Sequence, residues 1–157
     1  KGGANYKRSN FANELLKLYQ NGANIVLDCV GQSHWYNNLK CIATEGRWVL
    51  YGWLSGSIIK PQNNDDGVNM GMFLRKRIQF SGTTLRARTV EYKHKLITDF
   101  ERDIMPLIYD GKIKPIISKL SQNSDELAIF DMKDAQKAHD FVRKNANIGK
   151  VVLINTQ

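Results

Sequence analysis

The sequence predicts an α/β fold with a doubly wound, parallel sheet. Two apolar runs, at 25–30 and 48–51, each close on a glycine, Gly31 and Gly52. Runs of this length without polar alternation suit strands buried on both faces, as in a parallel sheet. A helical pattern lies between them, giving the strand, helix, strand order of that fold class. A further β-rich run, at 78–84, ends in small residues at Gly82, Thr83 and Thr84. Parallel strands are therefore expected at 24–30, 47–51 and 78–83. In such sheets ligands sit just beyond the carboxyl ends of the strands. A residue without a side chain there lets a flat ligand approach the backbone closely.

Each element has its own local reason. Residues 9–20 fit a helix, with Ser9 as N-cap and Phe11, Leu15, Leu16, Leu18 and Tyr19 as its apolar stripe. Asn21-Gly22 ends it. After the first strand, residues 33–43 form a short helix capped by Ser33, and Glu45-Gly46 makes a turn into the second strand. Residues 54–69 are loop chemistry, rich in Ser, Gly, Asn and Asp, and read as a surface insertion. Asn64 to Gly67 lacks the alternating acidic spacing of a calcium loop.

A helical turn or two is expected at 71–76. A long helix follows at 89–109, with Leu96, Ile97, Phe100, Ile104, Leu107 and Ile108 at three-to-four spacing. Pro106 should kink its last turn, and Asp110-Gly111 ends it. Residues 113–120 read as extended. A helix at 133–144 begins near Asp131 and presents Ala135, Ala138, His139 and Val142 on one face. The last strand is expected at 150–154.

Composition bounds the function. A chain of 157 residues can bury a core. No run approaches the roughly 20 apolar residues of a membrane span, and residues 1–20 lack the hydrophobic block of a secretory signal. The first residue is lysine, so a native start is expected further upstream. Cys29 and Cys41 make no disulfide framework, and a reducing cytoplasm is the simpler expectation. Cys29 reads as a small buried hydrophobe. The net charge of +8 admits an anionic cofactor or RNA, but its cations are spread along the chain; the densest cluster is Arg75-Lys76-Arg77. Ordinary solvated surface is the first reading. Cys29, His34 and Cys41 match no structural zinc spacing, and His94 and His139 lack a paired ligand, His139 reading as a packing and capping residue. No metal site is expected.

Several short motifs occur in a telling order. Asn5-Tyr6-Lys7, Leu27-Asp28-Cys29-Val30-Gly31 and Gly46-Arg47-Trp48-Val49-Leu50-Tyr51-Gly52 occupy the first half. Leu85-Arg86-Ala87-Arg88, Asp134-Ala135 with Ala138-His139, and Asn147-Ile148-Gly149-Lys150-Val151-Val152-Leu153 occupy the second. Together they resemble the zinc-independent quinone oxidoreductases of the medium-chain dehydrogenase/reductase superfamily, along nearly the whole chain. The resemblance implies a partial Rossmann-like sheet in residues 1–112 and, in 113–157, a segment returning to a GroES-like catalytic domain. No Gly-x-Gly-x-x-Gly turn occurs here; in the family it lies upstream of the matched region. The chain thus looks like the C-terminal part of a longer enzyme.

The resemblance further implies hydride transfer from NADPH to a quinone. The cofactor carries that chemistry, and no catalytic residue is assigned to this chain. It places Tyr6 by the adenosine ribose phosphate and Gly31 under the ribose and pyrophosphate. Tyr51, Gly52 and Trp53 match the strand end beside the nicotinamide ribose. Gly82, Thr83 and Thr84 match the strand end that holds the carboxamide, and Asn145 matches a polar residue reaching back to the cofactor. It also implies a homodimer paired through the strand at 78–83. The competing reading is a noncatalytic dimerising or RNA-binding module.

Overall fold

The computed structural model describes residues 2–61 and 70–156. They form two compact units, Lys1–Thr89 and Val90–Gln157. Of the expected insertion at 54–69, residues 62–69, with the Asn64–Gly67 segment, lie outside the described residues.

The first unit runs α1 (Phe11–Leu18), β1 (Ala23–Asp28), a 3-10 turn (Gln32–His34), α2 (Trp35–Cys41), β2 (Ile42–Leu50), α3 (Gly71–Lys76) and β3 (Gln79–Gly82). The strands form one sheet in the order β1-β2-β3, and both pairings are parallel. The three expected strands are therefore present with the expected direction. The cap of α1 is Asn10 rather than Ser9: its side-chain oxygen accepts from the Asn13 amide at 3.1 Å. β2 begins at Ile42, five residues before the expected strand at 47–51. Ala23 pairs with Ile42 but Ile25 with Arg47, so the intervening residues bulge. Glu45, at φ 61°, sits in that bulge. The expected Glu45-Gly46 turn is thus absorbed into the strand.

The core centres on Trp48 and Ile42, with Leu39 of α2 and with Val26, Trp35, Met72, Phe73 and Ile78 packed around them. Trp48 meets Trp35 at 4.7 Å and Phe80 at 5.1 Å between ring centroids, edge-on to the latter. Such contacts add to area burial in fixing the register of a small sheet. The expectation that β1 is buried on both faces fails. Period-2 alternation directs Val26 and Asp28 to the packed face, while Ile25 and Leu27 are 61% and 68% exposed. All of β3 is exposed.

The second unit contains α4 (Val90–Asp103), α5 (Met105–Tyr109), β4 (Ile129–Asp131), α6 (Ala135–Arg143) and β5 (Val152–Ile154). The expected single helix at 89–109 is divided at Ile104. Pro106 has no N–H for the carbonyl of Arg102, so the break falls before the proline and a new helix starts with it near its N-terminus. β4 and β5 pair in parallel. Three residues are too few to show a period, which is why β4 is not legible in the sequence. The 113–120 segment makes only isolated bridges, Ile117 to Lys150 and Lys119 to Leu127. Asp131 opens the turn into α6 by accepting from the Lys133 amide at 3.0 Å. His139 is exposed on α6 and not packed as expected.

Candidate cofactor site

The carboxyl ends of β2 and β3 lie side by side. Leu50 pairs with Gly82, and the next hydrogen bond, Thr83 N–H to the Leu50 carbonyl at 2.9 Å, carries the register past the strand ends. Beyond them opens a cavity of about 660 Å³. Tyr51, Gly52 and Trp53 line it on one side, and Gly82, Thr83 and Thr84 on the other. These are six of the residues marked from the sequence, gathered around one space. Arg86 and Arg88 also line it. Arg88 donates to the Thr84 carbonyl at 3.2 Å and to the Thr83 hydroxyl at 3.3 Å, so it braces the end of β3. The two arginines lie in a motif already visible in the sequence, but nothing in their spacing indicated that they turn back toward the strand end.

The glycines differ in their reasons. A Cβ on Gly82 would meet only the Leu50 carbonyl, at 4.0 Å, so the space beside it is open to a ligand. A Cβ on Gly52 would come within 3.0 Å of the Cys29 carbonyl. Gly31 is buried at φ 80°, and a Cβ there would stand 2.8 Å from the Gly56 carbonyl. Gly31 and Gly52 therefore have packing reasons of their own. Gly31 lies behind the wall of the cavity rather than on it.

That wall is laced to the end of β1. Leu54 N–H donates to the Cys29 carbonyl at 3.1 Å, Ser55 N–H to the Val30 carbonyl at 2.9 Å, and Gln32 N–H to the Gly56 carbonyl at 3.0 Å. The Ser55 hydroxyl adds a bond to the Val30 carbonyl at 2.8 Å and accepts from Ser33 N–H at 2.9 Å. A hydrogen bond to Cys29 pushes the pKa of the exposed Tyr51 phenol up, with the charges of Cys29 and Asp28 acting in the same direction. Cys29 is half-buried, less enclosed than the sequence implies.

Within the first unit, Gly31 and Tyr6 do not line this cavity. Tyr6 is exposed and packs edge-on against His34, 5.5 Å away, beside a separate recess of about 340 Å³. Asn145 belongs to the second unit, where its φ of 51° ends α6 and its N–H donates to the Val142 carbonyl at 2.8 Å. Asparagine tolerates that left-handed conformation at a helix end. Among the described residues no group of three or more His, Cys, Asp or Glu side chains is placed to hold a metal ion. No helix among them is long and apolar enough to cross a membrane. Among the described residues, the cavity lining carries no carboxylate, thiol or imidazole. It offers backbone groups, hydroxyls, a flat indole and guanidinium cations, which suit holding a planar ligand with polar edges.

The profile of the family described as zinc-binding dehydrogenase matches residues 3–153. Quinone oxidoreductase 1 of Escherichia coli is 26% identical over 152 residues, covering 96% of this chain and 42% of that protein. Quinone oxidoreductase-like protein 2 of Bos taurus is 25% identical over 153 residues, covering 95% and 38%. The crystal structure of the Escherichia coli quinone oxidoreductase complexed with NADPH superposes with a TM-score of 0.69 at 24% identity, over 96% of this chain and 42% of that one. The chain thus spans less than half the length of the relatives it matches. The parallel sheet, its Rossmann-like order and the match along nearly its whole length agree: the chain belongs to the zinc-binding dehydrogenase family of the medium-chain dehydrogenase/reductase superfamily.

Proposed function

We propose that this chain is part of a cytoplasmic, zinc-independent quinone oxidoreductase that uses NADPH. In this reading residues 1–112 complete a dinucleotide domain and 113–157 return to a catalytic domain. The observation that carries it is the cavity at the ends of β2 and β3, with open space off Gly82 and polar backbone at Thr83 and Thr84. NADPH, when bound, supplies the hydride that reduces the quinone. The residues of this chain bind and orient. The backbone at 82–84 meets the carboxamide, and Arg88 keeps that strand end fixed through Thr83 and Thr84. Tyr51 and Gly52 flank the ribose, and the Trp53 indole forms a flat wall that excludes water from one side. Gly31 supports the pyrophosphate side from behind, and the resemblance adds Tyr6 at the adenosine ribose phosphate and Asn145 as a further cofactor contact. Quinone oxygens accept protons from solvent, so no internal acid is required.

The same reading includes a homodimer through β3, an edge strand exposed along its length. Unpaired edges invite pairing, and a two-fold partner satisfies both at once. The chain alone lacks the glycine-rich phosphate turn and is expected to turn over little or no quinone. NADPH oxidation with a simple benzoquinone should be followed for this chain and for the protein extended through its upstream codons. Turnover by the extended protein alone is the expected result. Equal turnover by both would show that the active site lies elsewhere.

A further inference from the structure

We propose that Asp28 is a positioning residue that preforms the cofactor-side wall of the site. The proposal rests on the reading of the β2–β3 cavity as a cofactor site. Asp28 ends β1 and is 3% exposed. Its Oδ1 accepts from the Val30 amide at 2.8 Å and the Gly31 amide at 3.0 Å. Its Oδ2 accepts from Asn38 Nδ2 at 3.0 Å and from Trp48 Nε1 at 3.3 Å. A buried carboxylate is costly unless its lone pairs are filled, and here neutral donors from a turn, a helix and a strand fill them. Every partner is a donor. An amide at the same place would set its own N–H₂ against either the Val30 and Gly31 amides or the Asn38 and Trp48 side chains. The geometry therefore selects a group that only accepts.

The carboxylate does more than fill the core. It draws the Val30 and Gly31 amides together and holds Gly31 at its positive φ. The carbonyl of Val30 then receives both donors of Ser55, and Gly56 receives Gln32. Trp53 backs directly onto Gly31: its Cβ lies 3.1 Å from where a Gly31 side chain would begin. The position of the indole wall thus follows from the turn, and the turn from Asp28. Asp28 itself does not line the cavity, so a static core role and a positioning role make different predictions.

Three variants separate those roles. Asp28→Asn breaks the hub. Ser55→Ala leaves the buried carboxylate intact but loosens the wall from the turn. Asn38→Ala removes one donor of the hub from the helix side and leaves the turn bonds in place. Amide hydrogen exchange is read on this chain without cofactor, and NADPH affinity on the protein extended upstream. Asp28→Asn is expected to speed exchange at Val30 and Gly31 by about tenfold or more, with the Trp48 and Val49 amides unchanged, and to weaken NADPH by a similar factor. Ser55→Ala should weaken NADPH in the same direction, which keeps the proposal testable if Asp28→Asn fails to fold. Asn38→Ala should lower the melting temperature but leave NADPH affinity within about twofold. Affinity falling in proportion to melting temperature across all three variants would overturn the proposal, as would unchanged exchange at Val30 and Gly31. Absence of NADPH binding by the unmodified extended protein would instead defeat the cofactor reading, while exchange still decides the hold of Asp28 on the turn.

Discussion

Gly82 is the residue at which the cofactor reading and plain strand chemistry disagree. A valine there has room in the strand, since its Cβ would meet only the Leu50 carbonyl at 4.0 Å. Valine also suits a strand better than glycine. Folding stability of Gly82→Val should therefore stay within about 0.5 kcal/mol of the parent. In the extended protein the same side chain would project into the space assigned to the nicotinamide and weaken NADPH. Fluorescence titration set beside the cofactor-free melting temperature checks this; unchanged affinity would remove the carboxamide from this strand end. That strands close before Tyr51 to Trp53 and at Gly82 to Thr84 was legible, because an apolar run that stops marks a strand end locally; their assignment to a cofactor came from the resemblance alone. The roles of Asp28 and Arg88 were not legible. The partners of Asp28 include Asn38 and Trp48, brought to it by the sheet and by α2. A chain read along its length does not show such meetings.

Among the elements, α3 shows how a charge run can mislead. Arg75-Lys76-Arg77 reads as a solvated basic cluster. Lys76 instead reaches the last turn of α2, its Nζ donating to the carbonyls of Leu39 at 3.1 Å, Lys40 at 3.0 Å and Ile42 at 2.7 Å. A cation there satisfies carbonyls left open at a helix end. Burial pushes its pKa below the ordinary lysine value, against a weaker upward pull from Cys41. Arg77, at φ 50°, ends α3 and pairs with Glu45 of the β2 bulge at 3.0 Å. Two members of the run thus tie α3 to the α2–β2 corner. Lys76→Met should destabilise the chain by about 1–2 kcal/mol, seen as a lower urea midpoint. An unmoved midpoint would reduce this contact to a surface decoration. The same limit of local reading explains α4 and α5. Their apolar spacing is continuous through 108, and only the hydrogen bond that Pro106 cannot make sets the break at Ile104.

At the scale of the whole molecule, the proposed dimer would pair through β3, an edge strand of the sheet among the described residues. Phe80 is a poor place to test it, because its ring packs on Trp35 and Trp48. Ile78 likewise packs on the core. Gln79 and Ser81 alternate to the other face and are exposed. Gln79→Lys with Ser81→Lys would set like charges against each other across a two-fold axis while sparing the aromatic cluster. Sedimentation of the extended protein should shift toward monomer. A dimer of unchanged strength would place the interface away from β3.

The parallel direction of the three strands was legible, because a strand, helix, strand succession in one sheet brings the strands back in the same sense. The exposure of Ile25 and Leu27 was not, because an apolar run does not say which face finds a cover. The central claim is that the ends of β2 and β3 receive the nicotinamide half of NADPH. Hydrogen–deuterium exchange of the extended protein, with and without NADPH, tests it most directly. The account predicts protection on binding at 51–53 and 82–84, with the Ile129–Asp131 strand unaffected. Protection confined to other segments, with 51–53 and 82–84 exchanging as before, would contradict it.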